Sequence, residues 1–151
     1  MSISVQAYRN SAVEGATHID ILLACYDALA EGIRLAGESA ARSDIGARCE
    51  HSARALLLIG HLESWVPVLD DPELRASLEG FYGYLRSEIV RLQVSTELDS
   101  FMNLALIVCE TRAAWQSKQS CNQSRAEVAT AHTMQPTREP DGKATHFLAL
   151  A

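Results

Sequence analysis

The cysteines, histidines and carboxylates of this chain are the side chains that could hold a metal, attack a substrate or move a proton. Cys25, Cys49, Cys109 and Cys121 stand too far apart for a paired-thiol zinc or redox motif. Cys25 and Cys49 fall on or near apolar helical faces, where a thiol behaves as a small hydrophobe. A di-iron site in a helical bundle needs Glu-x-x-His pairs, so that carboxylate and imidazole share a face. No glutamate here has a histidine three residues later. Glu14 and His18 are four apart with Gly15 between them, and the adjacent Cys49, Glu50 and His51 fan out in different directions on a helix. His51 and His61 read as exposed or hydrogen-bonded side chains. Nor is there a Gly-x-Ser-x-Gly turn or a phosphate-cradling glycine loop. The paired Asp70-Asp71 falls at a helix start, where capping accounts for it. The expectation is a protein with no catalytic residues, no metal and no cofactor.

The elements that carry these residues are helices. Thr17-His18-Ile19-Asp20 has the spacing of a capping box, with Asp in place of Glu, and predicts the start of a first helix running to about Ala41. Ile19, Leu22, Tyr26, Leu29, Ile33, Ala36 and Ala40 alternate steps of three and four, one stripe of that helix. Arg42-Ser43-Asp44 makes a turn, and Asp44 caps a second helix with Ala55, Ile59, Leu62, Val66 and Leu69 on one face. Pro67 should end or kink it near Val66. Asp71-Pro72-Glu73 starts a third helix presenting Leu74, Leu78, Phe81, Leu85, Ile89 and Leu92. Thr96-Glu97-Leu98-Asp99, again like a capping box, starts a fourth with Leu98, Phe101, Ala105, Val108, Arg112 and Trp115.

Short turns between long helices make neighbours antiparallel, so the fold class is all-α: an antiparallel up-down four-helix bundle. The reading divides the chain into an N-terminal arm or short helix over 1–16, the bundle over 17–118 and a polar, disordered tail over 119–151. The tail ends on His146-Phe147-Leu148-Ala149-Leu150-Ala151, apolar enough to raise the question of whether it docks on the bundle.

Composition agrees with one domain. The chain has 151 residues, 48% of them hydrophobic, enough to fold around a core without membrane or disulfide support. The start, Met1 to Gln6, has neither the basic residues nor the apolar run of a secretory signal, so a cytoplasmic location is expected. Its net charge of −6 repels phosphate backbones, which argues against nucleic-acid binding, and no apolar run is long enough for membrane insertion. What the four seams do not absorb is a surplus of large apolar groups. Tyr8, Tyr26, Trp65, Phe81, Tyr82, Tyr84 and Trp115 accompany many Leu and Ile, and Ala55 to Ile59 is apolar nearly all round. The surplus points to surface grooves that receive an apolar partner segment.

From about Ala7 to Trp115 the chain resembles the FliS family of flagellin export chaperones. The likeness lies in Ala7-Tyr8 with Asn10, Ser11 and Val13, and in Leu22-Leu23-Ala24-Cys25-Tyr26-Asp27. It continues through Ile59-Gly60-His61-Leu62, Leu78-Glu79-Gly80-Phe81-Tyr82-Gly83-Tyr84 and Arg112-Ala113-Ala114-Trp115. The chain departs from the family pattern at Ala28, His61 and Val94-Ser95, and its tail is longer. The resemblance implies a cytoplasmic chaperone that binds the disordered C-terminal segment of flagellin in surface grooves. It would thereby prevent premature polymerisation and keep the cargo competent for the type III flagellar export gate. It also implies that the arm carrying Tyr8 covers part of a groove. The groove or its cap is expected to comprise Tyr8, Val13, Leu22, Tyr26, Leu62, Leu78, Tyr82 and Leu85, in a monomer or weak dimer. If Tyr26 is core, its loss should lower stability, whereas Tyr82 is expected to serve binding with little effect on stability. The alternative is a helical regulatory or homo-oligomerising module that does not bind flagellin.

Overall fold

Helix ends carry unpaired backbone groups, and the way each end is closed fixes where the next helix begins. The computed structural model describes the backbone of residues 3–133 and the side chains of residues 18–129. Four helices follow one another: α1 (Ile3–Ala41), α2 (Ile45–Trp65), α3 (Pro72–Arg91) and α4 (Leu98–Thr133). Single 3-10 turns, Val66–Val68 and Leu92–Val94, follow α2 and α3. The described residues include no strand.

The α1–α2 turn closes tightly. The Asp44 N–H donates to the Ser39 carbonyl at 2.9 Å and the Ser43 N–H to that of Ala40 at 3.0 Å, which pairs two carbonyls at the end of α1. This geometry puts Ser43 in the left-handed region with φ 58°, a conformation that favours glycine. Asp44 then caps α2, its Oδ1 accepting from the Ala47 N–H at 3.0 Å. Asp71 caps α3 by accepting from Glu73 and Leu74 N–H groups, with Pro72 at the first helical position. Pro67 ends α2 as its missing N–H demands, leaving Val66–Val68 as a 3-10 turn.

Two helix starts differ from the sequence expectation. The capping box at Thr17 is not a boundary, because α1 is continuous from Ile3 through Gly15. A helical glycine costs only about 1 kcal/mol relative to alanine, too little to halt a long helix. The Thr96 box is not made either. Ser95 Oγ takes the Glu97 N–H at 3.1 Å, and α4 begins at Leu98 with the Glu97 carboxylate accepting from Ser100 Oγ.

The predicted apolar faces meet in one core. Tyr26, Leu29, Ile33, Ala36 and Ala40 of α1 pack with Ala55, Ile59 and Leu62 of α2. Leu85, Ile89, Phe101 and Val108 complete it from α3 and α4. Each large aliphatic residue removed from water contributes about 1.5–3 kcal/mol. Helix α4 runs antiparallel to α1, since Gly37 lies against Phe101 while Asp27 pairs with Arg112 at 2.6 Å further along. The Glu63–Arg86 pair, 2.6 Å, joins α2 to α3. The Glu63–Arg86 pair is exposed and contributes little to stability, whereas the Arg112 end of the other pair is partly buried.

By its contacts the chain divides into residues 1–119 and 120–151. The first unit holds the core. In the second, residues 120–133 are helical and every side chain from Ser120 to Ala129 is exposed. The apolar end at 146–151 lies outside the described residues.

Two substitutions test this packing. Ser43→Gly relieves the left-handed strain and should raise stability by about 1 kcal/mol, read as a higher denaturation midpoint. A Cβ on Gly37 would sit 2.6 Å from Phe101 Cβ. Gly37→Ala should therefore lower stability by roughly 1–3 kcal/mol by forcing α1 and α4 apart.

Candidate functional site

Where α2 stops at Pro67, the chain turns away before α3 begins, and the apolar stripes of the helices are left without a covering neighbour. An apolar cleft of about 530 Å³ opens there. One wall comes from α1, through His18, Ile19 and Leu22, and from α2, through Leu62 and Trp65. Val66, Val68 and Leu69 of the Pro67 turn form one end, Leu78 and Tyr82 of α3 the other wall, and Trp115 of α4 closes the site. The edge of the His18 ring meets the Trp65 ring, with centroids 5.9 Å apart. This contact steadies the indole where it borders the cleft.

The cleft has polar atoms that are already spoken for. Tyr82 and Tyr26 share a buried hydroxyl–hydroxyl bond of 2.7 Å, and the Trp115 indole N–H donates to Tyr26 Oη at 3.3 Å. Burial pushes both phenols up from their ordinary value of 10.0. Desolvation is the main cause in each. At Tyr26 it is partly offset by the hydrogen bonds from Tyr82 and Trp115; at Tyr82 the bond to Tyr26 adds to it. Both rings are therefore neutral at any physiological pH. With these donors paired to each other, the tyrosine and tryptophan walls offer surfaces that favour apolar groups. Among the described residues, no group of three or more His, Cys, Asp or Glu could hold a metal.

Of the residues expected from sequence, Leu22, Leu62, Leu78 and Tyr82 come together around this cleft. Tyr26 and Leu85 do not line it; both are fully buried in the core. The side chains of Tyr8 and Val13 lie outside the described residues. One expectation needs correction. Tyr82 is 1% exposed, and its hydroxyl pairs with that of Tyr26, so it is as much a core residue as a wall of the cleft. Tyr84, on the opposite face, is exposed. Sequence reasoning missed His18, Ile19, Trp65, Val66, Val68, Leu69 and Trp115 as cleft residues, although it counted Trp65 and Trp115 in the apolar surplus. The signal was Pro67, since a helix cut short beside a long apolar stripe must leave part of that stripe open.

A second, smaller pocket of about 160 Å³ adjoins the first. Ile21, Cys25 and His61 line it, and it shares Leu22, Leu62 and Trp65 with the main cleft.

Two outcomes follow from the buried phenols. Tyr82→Ala should destabilise the fold by about 3–5 kcal/mol, as Tyr26→Ala should, because each opens a large void. Thermal melts of the two variants compare them directly. Since both folded-state values are raised, the stabilisation from the neutral pair is complete below pH 10.0 and is lost as pH rises above it. Denaturant titrations from neutral to strongly alkaline pH should show that loss, and a Tyr26→Phe/Tyr82→Phe variant should lose less.

Among the described residues no helix is long and apolar enough to cross a membrane. The chain matches no individually curated protein. A family model described as "Flagellar protein FliS" does match it, over residues 1–122. That match spans all of α1, α2 and α3 together with the part of α4 that reaches Trp115, the stretch that builds the cleft. The chain belongs to the FliS family, the chaperones of flagellar assembly.

Proposed function

We propose that this protein is a cytoplasmic export chaperone that receives the disordered C-terminal segment of flagellin in the apolar cleft. Holding that segment keeps flagellin from polymerising early and leaves it competent for the type III flagellar export gate. The observation that carries this reading is the cleft itself: about 530 Å³, walled by Leu, Val, Trp and Tyr side chains and left uncovered among the described side chains. Family membership supports a cargo from the flagellum.

The physics is that of coupled folding and binding. A disordered cargo loses conformational entropy when it orders, so its affinity must come from many apolar contacts over a large area. No covalent step is required, and release needs only competition for the same apolar surface. In this reading the protein works as a monomer or weak dimer.

Calorimetric titration with a peptide of the flagellin C-terminal segment tests the proposal. One-to-one binding with a large negative heat-capacity change is expected. Val68→Ser, at an exposed position on the Pro67 turn, should weaken it roughly tenfold without lowering the melting temperature. No binding, together with a stable symmetric dimer, would instead favour a homo-oligomerising module.

A further inference from the structure

Helix α3 turns one face inward and leaves the other without a neighbour among the described residues. Leu78, Tyr82, Leu85 and Ile89 are its buried stripe. On the opposite side Ala76, Gly80, Gly83, Ser87 and Val90 follow the same steps of three and four, and every one of them is exposed. Glycine inside a helix loses backbone freedom with no side-chain contact in return. Yet a Cβ at Gly80 or Gly83 would meet nothing within 4 Å, so no packing among the described residues requires either glycine. Val90 on this stripe and Tyr84 beside it remain 57% and 46% exposed. Bare backbone next to open apolar side chains suits the close approach of another helix. We propose that this face of α3 packs antiparallel against the same face of a second copy, forming a weak two-fold dimer.

Charge selects that occupant. Glu73 and Arg91 lie on one flank of the stripe, about five turns apart, and Glu79 and Arg86 lie on the other, about two turns apart. In an antiparallel pair centred between Phe81 and Tyr82, like flanks meet. Glu73 of each copy then faces Arg91 of the other, Glu79 faces Arg86, and Gly80 lies against Gly83. With acid first and base last on each flank, the face is complementary to itself, as a two-fold interface requires. A parallel pairing would set like charges together. Arg86 and Arg91 each hold a carboxylate of their own chain, Glu63 and Glu88, but their side chains stay 45% and 60% exposed. A guanidinium has N–H donors enough for a second partner. One pair of crossing helices buries less surface than a permanent interface needs, so the dimer is weak. Leu78 and Tyr82 face the cleft from the other side of α3, so each copy keeps its cleft open and the inference does not rest on the cargo reading.

Sedimentation equilibrium of the full-length protein without flagellin, from micromolar to near-millimolar concentration, tests this. A reversible monomer–dimer equilibrium that weakens as salt rises is expected. Gly80→Leu blocks the close approach while improving helix propensity. It should weaken the dimer roughly tenfold without lowering the melting temperature of the dilute protein. Glu79→Arg should also weaken association, and adding Arg86→Glu, which restores opposite charges across the axis, should recover it. A protein that is monomeric throughout overturns the proposal, as does a dimer indifferent to Gly80→Leu or not recovered by the charge exchange. None of these results bears on flagellin binding, which calorimetry with the C-terminal peptide reads separately.

Discussion

Two phenol hydroxyls are buried in an otherwise apolar interior, and the rest of the structure is arranged around the need to pair them. A buried hydroxyl without a partner costs several times what a paired one contributes. Tyr26 sits on α1 and Tyr82 on α3, and their 2.7 Å bond exists only if those helices lie at one particular register. Trp115 extends the constraint to α4 through its indole N–H. A slide of one helix turn, which would leave the aliphatic contacts tolerable, would strand all three polar groups. Leucine packing makes the bundle stable; the Tyr26–Tyr82–Trp115 chain makes it unique.

The same three residues decide what the cleft can accept. Two of them, Tyr82 and Trp115, form its lining, and their polar atoms turn inward toward Tyr26. What reaches the cleft is ring and aliphatic surface. Stability and the proposed recognition thus draw on one set of side chains, which is why a cleft wall such as Tyr82 cannot be assigned to binding alone. Under the proposed function, the lining position with the least structural role is Val68 on the Pro67 turn, which is exposed.

Helix termini supply the remaining order. Asp44 and Asp71 fix where α2 and α3 begin, and Ser43 accepts a strained backbone so that α1 can reverse within a few residues. Pro67 has the opposite effect, ending α2 before its apolar face is fully covered. An open cleft is the direct result of that early stop. Gly37 allows α1 and α4 to approach closely at the far end, where Phe101 fills the space a methyl group would need.

The sequence by itself determined the helices, their apolar faces and most of their ends, because these follow from residue spacing and from capping chemistry within a few positions. The stripe from Leu22 to Ala40, the Asp44 and Asp71 caps and the break at Pro67 were all legible that way. So were four of the cleft residues, Leu22, Leu62, Leu78 and Tyr82, which were read from the resemblance to a family and from the apolar surplus. Local spacing misled at the Thr17 and Thr96 boxes, sound starts in isolation: α1 runs straight through the first, and at the second it is Ser95, not Thr96, whose hydroxyl takes a backbone N–H. Only the tertiary structure decided which aromatic residues are core and which are wall. Tyr26 and Tyr82 look alike on their helices, and what joins them is a hydrogen bond across 56 positions of sequence. The cleft, too, arises from what neighbouring elements leave uncovered, and no single helix encodes that.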